Sequence, residues 1–351
     1  LQNPELCDRI IREGKADVLS MARAFICDSQ YGEKLYAGRG EDVRPCIRCN
    51  KCHVPNDSDK FRSYCSVNPE IGLEDKLDRL FPSKITPKKL VVIGGGPAGM
   101  VSAITAARLG HTVTLLEQAP VLGGQLLHAD YADFKWPLED YKKYLIRQLY
   151  QAGVQVLLNT AATPEIVSAL KADAVFVAIG PTFKRPDIPG ANGENVKVPM
   201  EVFGHTEELP EQIVIMGGSE TAVETGIYLA RNGKQVTVLS RQKMLASDAP
   251  HAHYISMLED AYQHQPGFSY ETEIQSYTAI DKHGVTYVDR DGVTQQAEAS
   301  LVVCATGTEP RHQDAAKFYG TAPLVRFLGD CNRAGDVHKA VAAGWSAANM
   351  L

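Results

Sequence analysis

The sequence predicts an α/β fold built from two similar units of parallel sheet. Two stretches of the chain have the pattern strand, glycine turn, helix, strand. The same number of positions separates the first glycine of each turn from the end of the next strand, Gly94 to Glu117 and Gly217 to Ser240. A third observation is a group of four cysteines ahead of the first stretch. Since a helix joins each pair of strands, we expect right-handed crossovers in a doubly wound sheet.

Composition limits the classes of function. The 351 residues are 44% hydrophobic and 22% charged, which is typical of a folded chain with two or three domains. The net charge of −6 disfavours nucleic acid and anionic membrane surfaces as partners. No apolar run reaches the roughly 18 residues of a spanning helix, and eight cysteines are too few for a disulfide scaffold. We expect a cytoplasmic protein. The sequence does not determine the oligomeric state, and a homo-oligomer is one possibility.

The first forty residues are expected to form a single βα unit. The pattern predicts a helix from Asn3 to Glu13, a strand from Ala16 to Ala22, and, after Arg23, a further helix that ends near Gly38. A lone parallel strand cannot bury both of its faces. We therefore expect this unit to need a neighbouring sheet, and the start on Leu1 suggests a piece of a longer chain.

The four cysteines have the spacing C-x2-C-x2-C-x12-C, within a loop-rich segment that ends in a linker near Pro87. Three thiolates on one tight loop with a fourth from further along are typical of an iron–sulfur cluster. Structural zinc sites more often use two separated pairs of ligands. The sequence predicts a [4Fe-4S] cluster, with structural zinc as the alternative, on Cys46, Cys49, Cys52 and Cys65. The other cysteines are interpreted as buried thiols: Cys7, Cys27, Cys304 and Cys331.

The first glycine turn is predicted to bind FAD. Gly94 permits the tight turn, Gly96 allows backbone N–H groups to approach a pyrophosphate, and Gly99 lets helix and strand pack closely. Glu117 is placed to accept hydrogen bonds from ribose hydroxyls. Asp330, at a strand end before a helix, can hold a ribityl hydroxyl or simply cap that helix. The predicted FAD residues are Gly94, Gly96, Pro97, Ala98, Gly99, Glu117, Gly124, Gln125, Gly180, Gly329 and Asp330.

The second glycine turn is predicted to bind NADP(H), with NAD(H) as the alternative. Ser219 replaces the middle glycine, which adds a side chain where the pyrophosphate should come closest. Ser240 stands at the position of the ribose-binding acid, so the carboxylate that would repel a 2′-phosphate is absent. Arg241 follows it, and an arginine can bind a 2′-phosphate. A degenerate unit without nicotinamide is the other interpretation. The predicted residues are Gly217, Gly218, Ser219, Glu220, Ala222, Ser240 and Arg241.

Together these segments resemble the iron–sulfur flavoproteins related to 2,4-dienoyl-CoA reductase and trimethylamine dehydrogenase. In that family an Old Yellow Enzyme-like FMN barrel precedes the cluster and two nucleotide-binding domains. Residues 16–25 are similar to its final barrel strand, with Arg23 where the family contacts the FMN phosphate. The cysteine run, Gly94 to Gly99, Glu117 and Gly329-Asp330 are similar to its cluster and FAD motifs.

The resemblance implies a fold class and a division into domains. It implies two Rossmann-like FAD/NAD(P)-binding domains of the glutathione-reductase type, preceded by the last βα unit of an FMN TIM barrel and a Cys-rich cluster loop. The expected domains are a barrel remnant (1–40), a cluster segment with linker (41–87), an FAD domain (88–209 and 309–351) and an NAD(P) domain (210–308). The upstream FMN barrel of the same polypeptide would be the partner.

The resemblance also implies a function. We expect an enzyme in which NAD(P)H reduces FAD, the cluster passes electrons singly, and FMN reduces an activated C=C bond, of the enoate or dienoyl-CoA type. One alternative is an amine dehydrogenase fragment that passes electrons to an external carrier. Another is a non-catalytic electron-transfer subunit like the small subunit of glutamate synthase. No catalytic side chain is predicted within this chain.

Overall fold

The structure is a computed structural model that describes residues 2–53, 64–81, 85–129, 131–249 and 252–351. Part of the cysteine segment (54–63) and part of the predicted linker (82–84) lie outside these residues. Contacts divide the chain into two compact units. Unit 1 comprises Leu1–Leu127, Pro137–Pro181 and Pro310–Leu351, and unit 2 comprises His128–Trp136 and Thr182–Glu309. The domain boundaries predicted from the sequence differ from these units and stay a prediction.

The secondary structure alternates between helices and strands through most of the described chain. The helices are α1 (Pro4–Arg12), α2 (Arg23–Cys27), α3 (Tyr31–Tyr36), α4 (Leu77–Leu80), α5 (Pro97–Arg108), α6 (Leu126–Ala129), α7 (Trp136–Gln151), α8 (Pro164–Ala169), α9 (Glu220–Arg231), α10 (Ala252–Gln263), α11 (His312–Ala316) and α12 (Val337–Asn349). The strands are β1 (Lys89–Ile93), β2 (Thr112–Leu116), β3 (Gln155–Leu157), β4 (Ala174–Val177), β5 (Thr182–Phe183), β6 (Val196–Lys197), β7 (Gln212–Met216), β8 (Gln235–Leu239), β9 (Phe268–Glu271), β10 (Ser276–Asp281), β11 (Gly284–Val288), β12 (Thr294–Glu298), β13 (Leu301–Cys304), β14 (Thr308–Glu309) and β15 (Leu324–Phe327).

Unit 1 contains a parallel sheet of five strands in the order β15-β4-β1-β2-β3. The central strands β1 and β4 are almost wholly buried, as expected for parallel strands covered on both faces. Helix α5 packs against α12, and a Cβ on Gly344 of α12 would come within 2.4 Å of the Ala98 carbonyl oxygen of α5. The absence of that Cβ therefore allows the two helices to approach closely on one side of the sheet.

Unit 2 has a similar parallel sheet in the order β6-β13-β7-β8-β9, in which β13-β7-β8-β9 corresponds to β4-β1-β2-β3 of unit 1. The outer strand differs, because β6 is the first strand of its sheet along the chain whereas β15 is the last of its own. Unit 2 adds an antiparallel sheet of β10, β11 and β12, and a short antiparallel pair of β5 and β14. The strands and helices that the sequence predicted around both glycine turns are confirmed, with ends that shift by at most one residue. The four strands that the two sheets share in the same order include both strands of each glycine-turn motif.

The predicted strand from Ala16 to Ala22 is wrong for this structure. This segment forms no strand and lies between α1 and α2, with the Val18 side chain 81% exposed. A strand needs a neighbour that accepts and donates its backbone hydrogen bonds. Since the described chain brings no strand beside this segment, the local β propensity is not enough to form one.

Within the described ranges, no helix is both long enough and apolar enough to cross a membrane.

Candidate functional site

The glycine turn after β1 forms the first part of the site, in unit 1. Gly94 has φ +105°, and a Cβ there would lie 2.4 Å from the Ala178 carbonyl oxygen. A Cβ on Gly99 would lie 1.9 Å from the Gly94 carbonyl oxygen. These two positions therefore require glycine for the turn and for the packing of α5 on β1.

Gly96 is different because a Cβ at this position would point into open space rather than into neighbouring protein atoms. It is the N-cap of α5, with φ −77°, and a Cβ there would meet only the Gly124 Cα, at 3.8 Å. Pro97 follows at the first helical position. The helix dipole and its first N–H groups favour an anion at such a helix start. The cradle at Gly96 therefore fits the pyrophosphate of a dinucleotide.

Glu117 lies directly after β2, and its side chain is buried beside this turn. Its Oε2 accepts a hydrogen bond from the Gly95 N–H at 2.6 Å, and its Oε1 accepts one from the Ala119 N–H at 2.8 Å. Because each carboxylate oxygen can accept more than one hydrogen bond, ribose hydroxyls can still bind here. Two backbone donors fix the carboxylate at the place where the adenosine ribose is expected.

Asp330 supplies an unsatisfied buried acceptor in the same unit. Its Oδ1 is buried and has no hydrogen-bond partner among the described residues, while Oδ2 accepts a long bond of 3.4 Å from Gln125. Burial raises the pKa of this carboxyl. A buried carboxylate oxygen without a donor is costly, and a ribityl hydroxyl would supply that donor. Gly124, Gly180 and Gly329, which are also predicted to bind FAD, all have positive φ.

The four predicted cluster ligands, which also belong to unit 1, line one small cavity. The cavity is partly open to solvent. Arg48 and Asn50 adopt positive φ and so make the loop turn tightly between the cysteines. The lining side chains include Cys46, Cys49, Cys52 and Cys65, together with Cys27 and Arg23.

The protonation of these thiols favours metal ligation at two of them. A hydrogen bond with Cys27 lowers the pKa of Cys46 to about 6 and that of Cys65 to about 7, against the opposing effect of burial. Burial instead raises the pKa of Cys49 and Cys52. Since the thiolate is the form that binds metal, part of the ligand set is ready near neutral pH.

The spacing of the thiols is relevant to the choice between zinc and a cluster. A tetrahedral zinc ion needs each sulfur about 2.3 Å from one point. Within the part of the chain that the structure describes, no three potential ligands are gathered closely enough for one ion. In a [4Fe-4S] cluster each thiolate binds a different iron, so the sulfurs need only surround a cavity. The four cysteines around one cavity fit that arrangement.

The cysteine loop contacts the helix that follows the predicted flavin acid. Lys51 forms an ion pair with Asp336, the N-cap of α12. The His338 ring donates from Nδ1 to the Cys65 carbonyl oxygen at 3.3 Å. Asp330 lies six residues before Asp336 in the chain, so the cysteine loop contacts the helix that begins shortly after the predicted FAD acid. No sequence pattern indicated these two contacts.

Arg23 lies at the start of α2, and its guanidinium donates to Asn50 Oδ1 at 2.6 Å. It therefore contacts the cysteine loop and lines the cluster cavity. Its contact with an FMN phosphate, which the family resemblance implied, stays a prediction.

The second glycine turn, in unit 2, has nearly the same backbone as the first. Gly217 has φ +124°, and a Cβ there would lie 2.3 Å from the Ala305 carbonyl oxygen. A Cβ on Gly218 would meet Ser240 Oγ at 2.0 Å, so buried Ser240 occupies the place that Glu117 has in unit 1. Ser240 removes the carboxylate from this place, and the adjacent Arg241 is exposed.

The start of α9 carries its own hydrogen-bond acceptors. Ser219 is the N-cap, and its Oγ accepts from the Ala222 N–H at 3.4 Å. The Glu220 N–H donates to Asp248 Oδ1 at 2.8 Å. A phosphate that binds here would have to replace the Asp248 carboxylate, which the sequence did not reveal as a neighbour.

The sequence did not predict that Glu220 belongs to a charged cluster formed by α9 and its neighbours. Lys135 pairs with Glu224 at 2.5 Å and with Glu220 at 3.5 Å, and the Tyr254 hydroxyl donates to Glu224. Burial is the main cause that raises the pKa of Glu220 to about 7. The only signal in the sequence was the four-residue spacing of the two glutamates, which places them on one helix face.

Comparison with known proteins agrees with this geometry. Residues 88–322 match the family described as pyridine nucleotide-disulphide oxidoreductase. An NADH oxidase of Thermoanaerobacter brockii is 33% identical over 99% of this chain and 54% of its own length. A bilirubin reductase of Mediterraneibacter gnavus is also 33% identical, over 99% of this chain and 54% of its length. The chain spans about half the length of these curated relatives.

A solved structure of 2-naphthoyl-CoA reductase with 2-naphthoyl-CoA covers 98% of this chain and 52% of its own, with a TM-score of 0.91 and 28% identity. The family match supports FAD and a nicotinamide nucleotide as cofactors and an oxidoreductase as the class of enzyme. It confirms the resemblance inferred from the motifs. The chain belongs to the pyridine nucleotide-disulphide oxidoreductase family, and it corresponds to the C-terminal portion of the 2,4-dienoyl-CoA reductase and trimethylamine dehydrogenase group.

Proposed function

We propose that this chain is the electron-supply half of an iron–sulfur flavoprotein reductase. Electrons would pass from NAD(P)H to FAD, then to a [4Fe-4S] cluster, and then to FMN on a barrel of the same polypeptide. The final acceptor would be an activated C=C bond of the enoate or 2,4-dienoyl-CoA type. The relatives named bilirubin reductase and 2-naphthoyl-CoA reductase support this class of acceptor.

The observation that carries the proposal is the attachment of the cysteine loop to α12. Lys51 and the Cys65 carbonyl contact Asp336 and His338, only a few residues after Asp330. Electron transfer requires that donor and acceptor be held near each other, and two independent contacts hold this loop on one helix. The same unit therefore offers an FAD cradle and a thiol-lined cavity joined through α12.

The predicted cofactor-binding residues of unit 1 have separate roles in the proposal. Gly96 and the start of α5 would bind the pyrophosphate, Glu117 the ribose, and Asp330 a ribityl hydroxyl. Cys46, Cys49, Cys52 and Cys65 would hold the cluster. When bound, flavin can accept two electrons together and release them singly, whereas a cluster carries one electron at a time.

The proposal is tested by adding NADPH, and separately NADH, to the purified chain after anaerobic reconstitution with FAD, iron and sulfide. We expect the flavin absorbance to bleach after the nucleotide is added. The signal of a reduced cluster should then appear in electron paramagnetic resonance. A flavin that dithionite bleaches but neither nucleotide does would contradict the proposal. That result would instead support the amine dehydrogenase alternative.

One observation favours that second candidate. The first N–H groups of α9 are bonded to Ser219 Oγ and Asp248 Oδ1 rather than left for a phosphate. An amine dehydrogenase fragment would pass electrons outward and would not need a nicotinamide at this turn. The nucleotide experiment distinguishes the two functions because only the reductase uses the second unit.

Replacing Arg241 with alanine should reduce the preference for NADPH over NADH. Arg241 is exposed beside buried Ser240, and a guanidinium can bind a 2′-phosphate that NADH lacks. We expect kcat/KM for flavin reduction by NADPH to fall about tenfold, or about 1.4 kcal/mol, and the value for NADH to change little. Arg290→Ala, an exposed arginine elsewhere in unit 2, is the matched control. Equal losses with both nucleotides would remove Arg241 from phosphate recognition.

A further inference from the structure

The cluster cavity is lined by five cysteines, although a [4Fe-4S] cluster has only four irons to ligate. The additional thiol is Cys27, the last residue of α2, which is 2% exposed. Its Sγ lies 3.6 Å from the Sγ of Cys65, within hydrogen-bond distance for two sulfur atoms. Cys46 lines the same cavity. Cys27 therefore contacts one predicted ligand, Cys65, inside the cavity that all four share.

The chain around Cys27 is anchored to both arms of the cysteine segment. The residue after it, Asp28, is buried and accepts hydrogen bonds from the Arg44 N–H at 2.8 Å and from the Lys34 ammonium at 2.6 Å. On the other side, the Asn68 amide donates to the Ile26 carbonyl oxygen at 2.9 Å. Arg44 precedes Cys46 and Asn68 follows Cys65, so these hydrogen bonds hold the chain on either side of Cys27 against both arms of the cysteine segment.

Apolar packing and a further hydrogen bond support this anchoring. Ala24 and Tyr31 pack with Val43 in a small apolar core beneath α2. Asn68 Oδ1 additionally accepts from the Arg44 guanidinium at 2.9 Å, which links the two arms directly. The position of the Cys27 sulfur is thus set by packing and hydrogen bonds of the residues around it.

We propose that Cys27 is a positioning residue whose S–H donates a hydrogen bond to the sulfur of Cys65, and that this bond raises the reduction potential of the cluster. The proposal rests on the proposed function, since it takes Cys65 as a cluster ligand. The three-plus-one motif already supplies four thiolates, so Cys27 is left with its proton. Hydrogen bonds to ligand sulfurs are among the factors that set the potential of such clusters.

The direction of the effect follows from charge. Reduction adds one negative charge to the cluster and its thiolates. A donor directed at a ligand sulfur stabilises the more negative state more strongly, so its presence makes reduction easier. The S–H group is a weak donor, so we expect a modest change in the equilibrium constant for reduction.

The test compares Cys27→Ala with Cys27→Ser in the reconstituted full chain. Iron and acid-labile sulfide are measured first, and then the cluster is titrated by potential with electron paramagnetic resonance as the readout. We expect both variants to keep the cluster. The alanine variant should have an equilibrium constant for one-electron reduction about tenfold lower, which corresponds to about 59 mV, and serine, which keeps a donor, should shift less. Cys7→Ala, a buried thiol of α1, should leave the potential unchanged.

Three outcomes would overturn this proposal, and they differ from one another. A cluster of unchanged potential in Cys27→Ala would show that the thiol does not act on it. Loss of iron in Cys27→Ala combined with retention in Cys65→Ala would make Cys27 a ligand. Absence of iron from the wild-type chain as well would reject the cluster itself, and with it the proposed function. If alanine impairs folding, the serine variant and the wild type still give the comparison of potentials.

Discussion

Replacing Gly96 with alanine should abolish FAD binding while the chain stays folded. The backbone at Gly96, φ −77° and ψ −179°, is one that alanine adopts without strain. A Cβ there would meet only the Gly124 Cα at 3.8 Å, which is ordinary contact. The added methyl group would instead fill the space where the pyrophosphate approaches the first N–H groups of α5. We expect FAD affinity to fall at least about 100-fold, or about 2.7 kcal/mol.

The measurement is FAD binding to the apoprotein by fluorescence, beside thermal unfolding of the same samples. Gly32→Ala is the matched control, because a Cβ there meets nothing within 4 Å and the position lies in helix α3. Gly99→Ala gives the opposite pattern, since its Cβ would lie 1.9 Å from the Gly94 carbonyl oxygen and should destabilise the unit by about 1–3 kcal/mol. Normal FAD affinity in Gly96→Ala would place the cofactor elsewhere.

Replacing Cys49 with alanine should remove the cluster and leave the flavin chemistry intact. Its thiol lines the cavity and lies 3.1 Å from Ser66 Oγ, within hydrogen-bond distance. A cluster left with three thiolates loses one corner of its ligation. We expect iron and acid-labile sulfide to fall to background, with FAD content unchanged.

The decisive readout for this variant is the separation of two electron-transfer steps. NADPH should still bleach the flavin of Cys49→Ala, whereas the signal of a reduced cluster should be missing. Cys304→Ala serves as the control, because that buried thiol lies on strand β13 of unit 2 and takes no part in the cavity. Retention of iron in Cys49→Ala, or zinc without sulfide in the wild type, would count against the predicted cluster.

The sequence predicted the two glycine turns well because their requirements are local. Gly94 and Gly217 both have φ above +100°, and in each turn a Cβ would strike the backbone of a neighbouring strand. Such positions accept only glycine whatever surrounds them, so the residue type reports the backbone directly. The strands around the turns are short apolar runs buried on both faces, which the sequence also displays.

The predicted strand from Ala16 to Ala22 failed for the opposite reason. Strand formation depends on a partner that supplies hydrogen bonds, and local sequence carries no information on whether that partner is present. The acceptors at the start of α9 show the same limit. Asp248 is close to Glu220 only because the loop after β8 returns over the glycine turn, where the Ala246 N–H donates to the Gly218 carbonyl oxygen at 2.7 Å.

The sequence alone determined the two nucleotide-binding units and the set of four spaced cysteines, because each of these follows from residue type and spacing along the chain. Only the tertiary structure decided that Cys27 joins those cysteines and that the cysteine loop is held on α12 through Asp336 and His338. Contacts between residues so far apart in the chain depend on how α2, the loop and α12 pack together. That packing is a property of the folded chain and has no signature in the spacing of the residues that meet.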